Sequence, residues 1–412
     1  MSPGRALAVT YRPNGAAHGY RPRPVCQAAD ALRRAEPLGS APFPDWREVL
    51  AKRRPPRRTD AVNRVVTLGT GGGSNPKATR CGFANAVVVG DAAYVVDAGE
   101  GVHAQLWRAG LTMNPNFRRQ VRRPVIRGVF VTHLHADHVV DLANLFVGSW
   151  PPHVVDVIGP GPAGLPIPMF PPDADRPLPI ADDPTPGLRA FVTHQLAAFA
   201  YNINVRVLDE GRSPLPDSIR VREINVAANS AQDGGSEATD LILDVTASAA
   251  SPADAAPAMD PVEVFRDDER GVVVSAILVQ HAPVFPAFGY RFDTPTGSVA
   301  FSGDTGECDN VVRLAKDADV LVHEVIDLPS LLARVTHLPN FDSVRNHLAS
   351  SHSTPEQVGR VATAAGVRTL VLSHLVPGDV EIAEEEWEAA VRPHFAGEIV
   401  CGVDLDEYPL GP

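Results

Sequence analysis

Short apolar stretches alternate with glycine-rich turns and with segments of helical spacing from residue 64 onward. In the first half the apolar stretches predict β-strands, because each is rich in valine and is bounded by polar or turn-forming residues. These strands are expected at residues 64–70, 85–89, 93–97 and 127–132. Helical spacing predicts one helix over residues 102–109, ended by Gly110, and another over residues 139–147. This order of elements indicates an α/β fold.

The second half of the chain repeats the alternation of strands and helices. Strands are expected at residues 272–279, 298–302, 320–322 and 369–373, and a helix at 355–365. Between the halves, residues 151–186 are dense in proline and expected to be irregular, and a helix should cover about residues 188–201. Residues 229–260 are a low-complexity stretch that we interpret as a surface loop. We therefore regard residues 151–270 as an atypical insertion.

The N-terminal 60 residues differ from the rest in being rich in Pro, Arg, Ala and Gly. We expect residues 1–60 to be a disordered arm that activity does not require, although residues 45–52 have the spacing of a short helix. Residues 61–412 would then form one catalytic domain. Scattered cysteines, with no membrane span or secretory signal in the sequence, favour a cytoplasmic protein. The net charge of −12 argues against a surface that binds nucleic-acid backbone.

The strand at residues 127–132 leads into the chain's densest group of metal-binding side chains, Thr-His-Leu-His-Ala-Asp-His at residues 132–138. Neutral imidazoles and carboxylates are ligands that zinc, iron and manganese accept, so this motif predicts a metal site. The motif lies between a strand and a helix, and therefore at the carboxyl end of the strand. This is where α/β folds place their functional residues. The glycines at 71–73 lack the Lys-Ser/Thr of a P-loop, and we expect a tight turn near the site.

Three later strands also end in candidate ligands, namely His281, Asp304 and His374. Each is a weak signal by itself, since a lone histidine is more often packed or solvated than bound to metal. Together with residues 132–138 they indicate that several strand ends contribute to one metal centre.

These motifs resemble those of the metallo-β-lactamase superfamily, and most closely its branch of tRNase Z and arylsulfatase-like hydrolases. The resemblance covers about residues 64–406 and rests on the motifs Leu68-Gly69-Thr70-Gly71, Val96-Asp97-Ala98-Gly99-Glu100-Gly101, residues 132–138, Ser302-Gly303-Asp304-Thr305 and His323-Glu324. It implies an αββα sandwich, in which helices flank two β-sheets and a two-metal site lies at one edge between the sheets.

The resemblance also implies a role for each candidate residue. One metal would be bound by His133, His135 and His281; the other would be bound by Asp137, His138 and His374. Asp304 would bridge two divalent ions, zinc first and manganese or iron as alternatives, with a hydroxide between them as the nucleophile. Asp97 would orient ligands without binding metal.

A proton donor is implied beside the metals. Glu324 would orient His352, and His352 would protonate the leaving group while Asp137 positions the nucleophile. The alternative for His352 is a plain structural role at the start of the helix expected at 355–365.

The sequence leaves the substrate open. The segment between His281 and Asp304 is too short for the tRNA-gripping arm that can lie there in tRNase Z, so we expect a small-molecule ester, a phosphodiester or aryl sulfate, and consider nucleic acid unlikely. The alternatives are a lactone or other carboxylic ester, tRNA 3′ processing, which we disfavour, and a metal-binding protein without turnover. No membrane association is expected, and a homodimer is possible.

Overall fold

The computed structural model of the protein describes residues 54–118, 123–164, 166–171, 176–180, 182–226, 240–243, 255–378 and 382–411. The candidate metal ligands and the candidate proton donor lie within these ranges. The short helix expected at residues 45–52 and most of the loop expected at 229–260 lie outside them.

The described strands form two sheets. They are β1 Arg64–Gly69, β2 Ala84–Val89, β3 Ala92–Val96, β4 Val125–Phe130, β5 Val155–Pro160, β6 Ile219–Val226, β7 Leu241–Leu243, β8 Val262–Asp267, β9 Val272–Leu278, β10 Phe288–Asp293, β11 Ser298–Phe301, β12 Val320–Ile326, β13 Thr369–Val376, β14 Glu398–Cys401 and β15 Glu407–Pro409. The first sheet has the order β15-β1-β2-β3-β4-β5-β6-β7 and the second β14-β13-β12-β11-β10-β9-β8.

The described residues also form α-helices, several of which cover the outer faces of the sheets. They are α1 Val102–Arg108, α2 Ala136–Val139, α3 Leu142–Ser149, α4 Leu188–Ala198, α5 Ala200–Leu208, α6 Asp309–Leu314, α7 Leu328–Val335, α8 Phe341–Ser351, α9 Pro355–Ala365 and α10 Glu384–Val391. None of the helices in the described ranges is long and apolar enough to cross a lipid bilayer.

Three layers of apolar side chains hold the sheets and helices together. Between the sheets, the Phe130 ring of β4 packs edge-on against Tyr290 and Phe292 of β10, with centroid distances of 5.5 and 5.1 Å. A second apolar cluster joins the first sheet to α1, α3 and α4, and a third joins the second sheet to α6, α9 and α10. The expected αββα sandwich is therefore confirmed.

The direction of the strands brings the candidate residues to one edge. Strands β3 to β7 are parallel to one another, as are β11 to β14. Parallel neighbours end on the same side of a sheet, so the segments after their carboxyl ends lie together. Asp97 follows β3, residues 132–138 follow β4, and Asp304 follows β11.

The stretch from residue 151 to 270 is more regular than its composition suggested. The irregular segment expected at 151–186 contains the buried strand β5, and Pro160 is tolerated because it is the last residue of that strand. The single helix expected at 188–201 is two helices, α4 and α5. Since β5, β6 and β7 extend the first sheet and β8 the second, much of this stretch belongs to the sandwich.

The described chain begins with a segment that is bound to the domain. The guanidinium of Arg54 donates two hydrogen bonds to the carboxylate of Asp406, at 2.8 and 2.6 Å, and Asp406 is fully buried. The backbone N–H of Arg57 donates to the same carboxylate at 2.7 Å. Deleting residues 1–60 would remove these contacts. We therefore restrict the expected dispensable arm to residues 1–53.

Replacing Arg54 by Ala should lower the free energy of unfolding by about 2–3 kcal/mol, because it leaves the buried Asp406 carboxylate without its cation. Chemical denaturation of the purified protein measures the change. The matched control is Arg58→Ala. Arg58 pairs with Glu407, but the Arg58 side chain is 53% exposed. Arg58→Ala should cost at most about 0.5 kcal/mol. Equal, small losses for both variants would show that Arg54 does not anchor the segment.

Candidate metal centre

The first group of candidate ligands lies between β4 and α2. His133 is fully buried in the loop after β4, and Asp137 and His138 are buried in the single turn of α2. Asp97 holds this loop, because its carboxylate accepts hydrogen bonds from the Thr132 N–H and the Thr132 hydroxyl, both at 2.8 Å. These hydrogen bonds fix the shape of the loop before any metal ion binds to its imidazoles.

The second group comes from the other half of the sandwich. His281 follows β9, Asp304 follows β11, and His374 lies within β13; all three are buried. Gly303 allows the tight turn that presents Asp304. Its φ is 61°, and a Cβ atom there would lie 2.7 Å from the Phe288 carbonyl oxygen, so a larger residue would shift the turn.

The structure brings all seven predicted ligands together in two sets. In each set, one possible ligand atom per residue lies within 4.8 Å of the others; the sets are His133, His135, His281 and Asp304, and Asp137, His138 and His374. The Asp304 carboxylate connects them, since Oδ2 lies 3.3 Å from His374 Nε2 and Oδ1 lies 3.2 Å from His138 Nε2. This grouping is the one that the resemblance implies.

The spacing of these atoms suits metal coordination. Two ligand atoms about 2.0–2.2 Å from a tetrahedral zinc ion lie roughly 3.3–3.6 Å apart. His281 Nε2 and His135 Nδ1 are 3.3 Å apart, and His374 Nε2 and Asp137 Oδ2 are also 3.3 Å apart. His133 Nε2 is buried without a hydrogen-bond partner, and such an atom is costly unless something else binds it. The residues therefore fit divalent ions.

The charges of the site favour a cation as well. Burial, with the neighbouring imidazoles, lowers the pKa of His133 well below its ordinary value; burial similarly lowers the pKa of His281. Neutral imidazoles are the form that binds metal. Burial alone would raise the pKa of Asp304, but His374 and His138 hold it well below its usual range. Burial would lower the pKa of His138, yet Asp304, Asp97 and Asp137 raise it, which shows how strongly the carboxylates attract positive charge.

Other groups fix which ring nitrogen faces the cluster. His138 Nδ1 lies 2.8 Å from Asp97 Oδ2, and His281 Nδ1 lies 2.9 Å from the Ser351 carbonyl oxygen. Each contact leaves Nε2 directed at the other ligands. Asp97 and His374 also have positive φ values, 62° and 46°, which are unfavourable for side chains with a Cβ atom. Strain of this kind is common at functional sites.

The glycine run forms the predicted tight turn beside the site. A Cβ atom on Gly72 would lie 2.5 Å from His374 Nδ1, so the turn can approach the ring only as glycine. The Gly72 N–H donates to the Leu375 carbonyl at 3.1 Å, and the Ser74 hydroxyl donates to Asp137 Oδ1 at 3.3 Å. These contacts place the glycine run next to the site, where it was expected.

The expected proton donor is beside the cluster. His352 Nδ1 lies 3.0 Å from both carboxylate oxygens of Glu324, and the His352 ring stacks on His374 with centroids 6.0 Å apart. Burial lowers the pKa of His352, but the Glu324 carboxylate, with Asp304 and Asp137 nearby, raises it to about 9. His352 then carries a proton at neutral pH, as a general acid requires.

The sequence interpretation missed one residue of the site, His347. Its ring centroid lies 6.4 Å from His135, 6.2 Å from His281 and 5.8 Å from His352. It stands on α8, and neither α7 nor α8 was predicted from the apolar pattern. The signal that could have indicated it is its position, one helical turn before Ser351 and His352.

Comparison with known proteins extends these observations. A family model described as beta-lactamase superfamily domain matches residues 228–375. Ribonuclease Z of Mycobacterium bovis (strain BCG / Pasteur 1173P2) is 30% identical over 348 residues, which are 84% of this chain and 98% of that protein. Ribonuclease Z of Mycobacterium avium (strain 104) is 29% identical over 83% of this chain and 96% of its own. The solved structure of human tRNase Z, short form, is similar with a TM-score of 0.50 and 20% identity, covering 85% of this chain and 100% of that chain.

The fold and the histidine–carboxylate cluster define a metal-dependent hydrolase that acts on ester bonds. Within that class, the chain belongs to the metallo-β-lactamase superfamily, in its ribonuclease Z branch.

The expected partners need correction. We expected a small-molecule substrate and considered nucleic acid unlikely, and this was wrong, because relatives that match over nearly their whole length are ribonucleases Z. The error was to infer the lack of any RNA-binding surface from one short segment between His281 and Asp304 and from the net charge. Local groups decide RNA binding, and neither observation describes them.

Replacing Asp97 by Asn should weaken metal binding by about 10- to 100-fold, because the carboxylate that orients the His138 ring is lost. Competition with a chelator at known free metal concentration measures the affinity. Asp141→Asn is the matched control, because it removes the same charge from a carboxylate that accepts a hydrogen bond from the His103 N–H at 3.1 Å, outside the cluster. Unchanged affinity in Asp97→Asn, or an equal loss in both variants, would contradict the orienting role.

Proposed function

We propose that this protein is a zinc-dependent endoribonuclease that hydrolyses a phosphodiester bond in precursor tRNA. In support, the relatives that it matches are named ribonuclease Z, and a similar solved structure is named tRNase Z. Two observations together support the proposal. The chain matches a ribonuclease Z over 98% of that protein's length, and the Glu324–His352 pair lies beside the histidine–carboxylate cluster. Zinc is preferred over manganese or iron because histidine nitrogens dominate the donor set.

In the proposed site, His133, His135 and His281 would hold one metal and Asp137, His138 and His374 the other, with Asp304 available to both. When bound, two divalent ions supply Lewis acidity and make a coordinated water more acidic. The protein's part is to fix the ligands, since the Asp97 and Ser351 contacts set the direction of the His138 and His281 rings.

The other steps of the proposed reaction depend on the side chains of Asp137 and His352. The Asp137 carboxylate is 8% exposed and accepts the Ser74 hydroxyl, so it can orient the attacking water with one oxygen while the other contacts His374. His352, held by Glu324, donates its proton to the leaving ribose oxygen, which would otherwise depart as a strongly basic alkoxide. The pKa of about 9 leaves His352 able to recover that proton from solvent at neutral pH.

The direct test is cleavage of a tRNA transcript with a 3′ extension by the zinc-loaded full chain. We expect two fragments, a tRNA body that ends at the mature 3′ side and the released 3′ extension, and no cleavage after EDTA treatment. Mature tRNA without the extension is the matched control and should remain intact. If small phosphodiesters are hydrolysed under the same conditions while the transcript is untouched, the RNA substrate is wrong although the hydrolase chemistry stands.

Replacing His352 by Ala should slow RNA cleavage by about 100-fold or more, because the leaving alkoxide loses its proton donor. A p-nitrophenyl phosphodiester, whose leaving group needs no proton, should lose much less. The ratio of kcat/KM for the two substrates is therefore the readout. His103→Ala, an imidazole on α1 outside the cluster, should leave both rates within about twofold. Equal losses on both substrates would assign His352 a structural role.

A further inference from the structure

An apolar cavity of about 320 Å³ opens beside the cluster. Among the described residues that line it are five prolines and two phenylalanines, and Thr185 contributes the polar side chain. Phe285 is 7% exposed, and Phe191 is half-buried on α4. Rigid rings therefore form more than half of its lining.

Two loops that contain metal-ligand candidates also contribute residues to the lining of the cavity. Leu134, one of its lining residues, stands between His133 and His135. Pro283 and Val284 also line it and follow His281 in the chain, and the Val284 N–H donates to the His281 carbonyl at 3.0 Å. The loops that hold His133, His135 and His281 therefore also supply part of the cavity lining.

The remaining wall comes from the proline-dense stretch after β5. Pro160 and Gly161 line the cavity at the carboxyl end of that strand, and Ile167 lies at its rim with 45% of its surface exposed. Carboxyl ends of strands in α/β folds are where substrates bind.

The side chains that line the cavity suit one part of a phosphodiester substrate better than the others. The described lining residues include no Lys or Arg, so the cavity is unsuited to a phosphate, and its shortage of polar side chains is unsuited to ribose hydroxyls. A planar, weakly polar ring fits it, and aromatic rings bind nucleobases by stacking without strong preference among bases.

We propose that this cavity binds one unpaired nucleobase of the substrate, next to the phosphate that is cleaved. The inference rests on the proposed phosphodiesterase function and adds a binding site to it. Phe191 supplies a stacking face, and Leu134 and Pro283 set the distance between base and reacting phosphate. A base held here orients its own phosphate and gives the enzyme a requirement for single-stranded RNA at the cleavage point.

Two variants test the cavity, Phe191→Ala, which removes a ring at the half-buried wall, and Ile167→Asp, which adds a charge at the exposed rim. The substrates are the 5′- and 3′-p-nitrophenyl phosphates of thymidine, which carry a base, and methyl p-nitrophenyl phosphate, which does not. All three release the same leaving group. For at least one thymidine ester, kcat/KM should fall about tenfold in each variant, while the methyl ester changes less than twofold.

Ile180→Asp is the matched control, since Ile180 lies in the same proline-dense stretch, is 74% exposed and does not line the cavity. It should leave every rate unchanged, and bound metal should equal that of the wild type in all variants. Equal losses on methyl and thymidine esters, or no loss on either, would overturn the proposal. The proposal would also be overturned if both variants cleaved the tRNA transcript at the wild-type rate. If instead no form of the protein cleaved the transcript, while the thymidine esters alone lost rate in the variants, only the RNA substrate would be wrong.

Discussion

The buried carboxylate of Asp304 is the group on which the site depends. It lies 2% exposed between imidazoles from both halves of the sandwich, 3.8 Å from His133 Nε2 and 3.3 Å from His374 Nε2. A carboxylate removed from water costs several kcal/mol unless opposite charge compensates it. Divalent ions provide that charge, and the parallel strands provide the convergence that makes one carboxylate accessible to both sets of ligands.

The surrounding structure keeps the ligands from relaxing. Asp97 binds both Thr132 and His138, and glycines at 72 and 303 allow the backbone to approach where a Cβ atom would collide. The two non-glycine residues with positive φ at the site, Asp97 and His374, store strain that the packed core holds in place. Rigid ligands of this kind lose little entropy on binding metal.

Much of the site could be predicted from the sequence, and the limits of that prediction have physical causes. The spacing of His133 to His138 and the positions of His281, Asp304 and His374 beside apolar stretches are local patterns. The family resemblance that these motifs carry implied the sandwich and the shared cluster. Leu328, Leu331, Leu332 and Val335 have the spacing of an amphipathic helix, although α7 buries none of them; that helix and His347 on α8 were missed. The substrate was misjudged because RNA binding depends on where surface groups meet in space, which neither loop length nor net charge records.

The most direct measurement is X-ray diffraction at the zinc absorption edge from crystals of the zinc-loaded full chain. The account predicts two anomalous peaks roughly 3.5–4 Å apart with Asp304 between them. One peak should lie among His133, His135 and His281, and the other among Asp137, His138 and His374. A single peak away from Asp304, or two peaks that do not share it, would contradict the claim that this carboxylate joins the two halves into one metal centre.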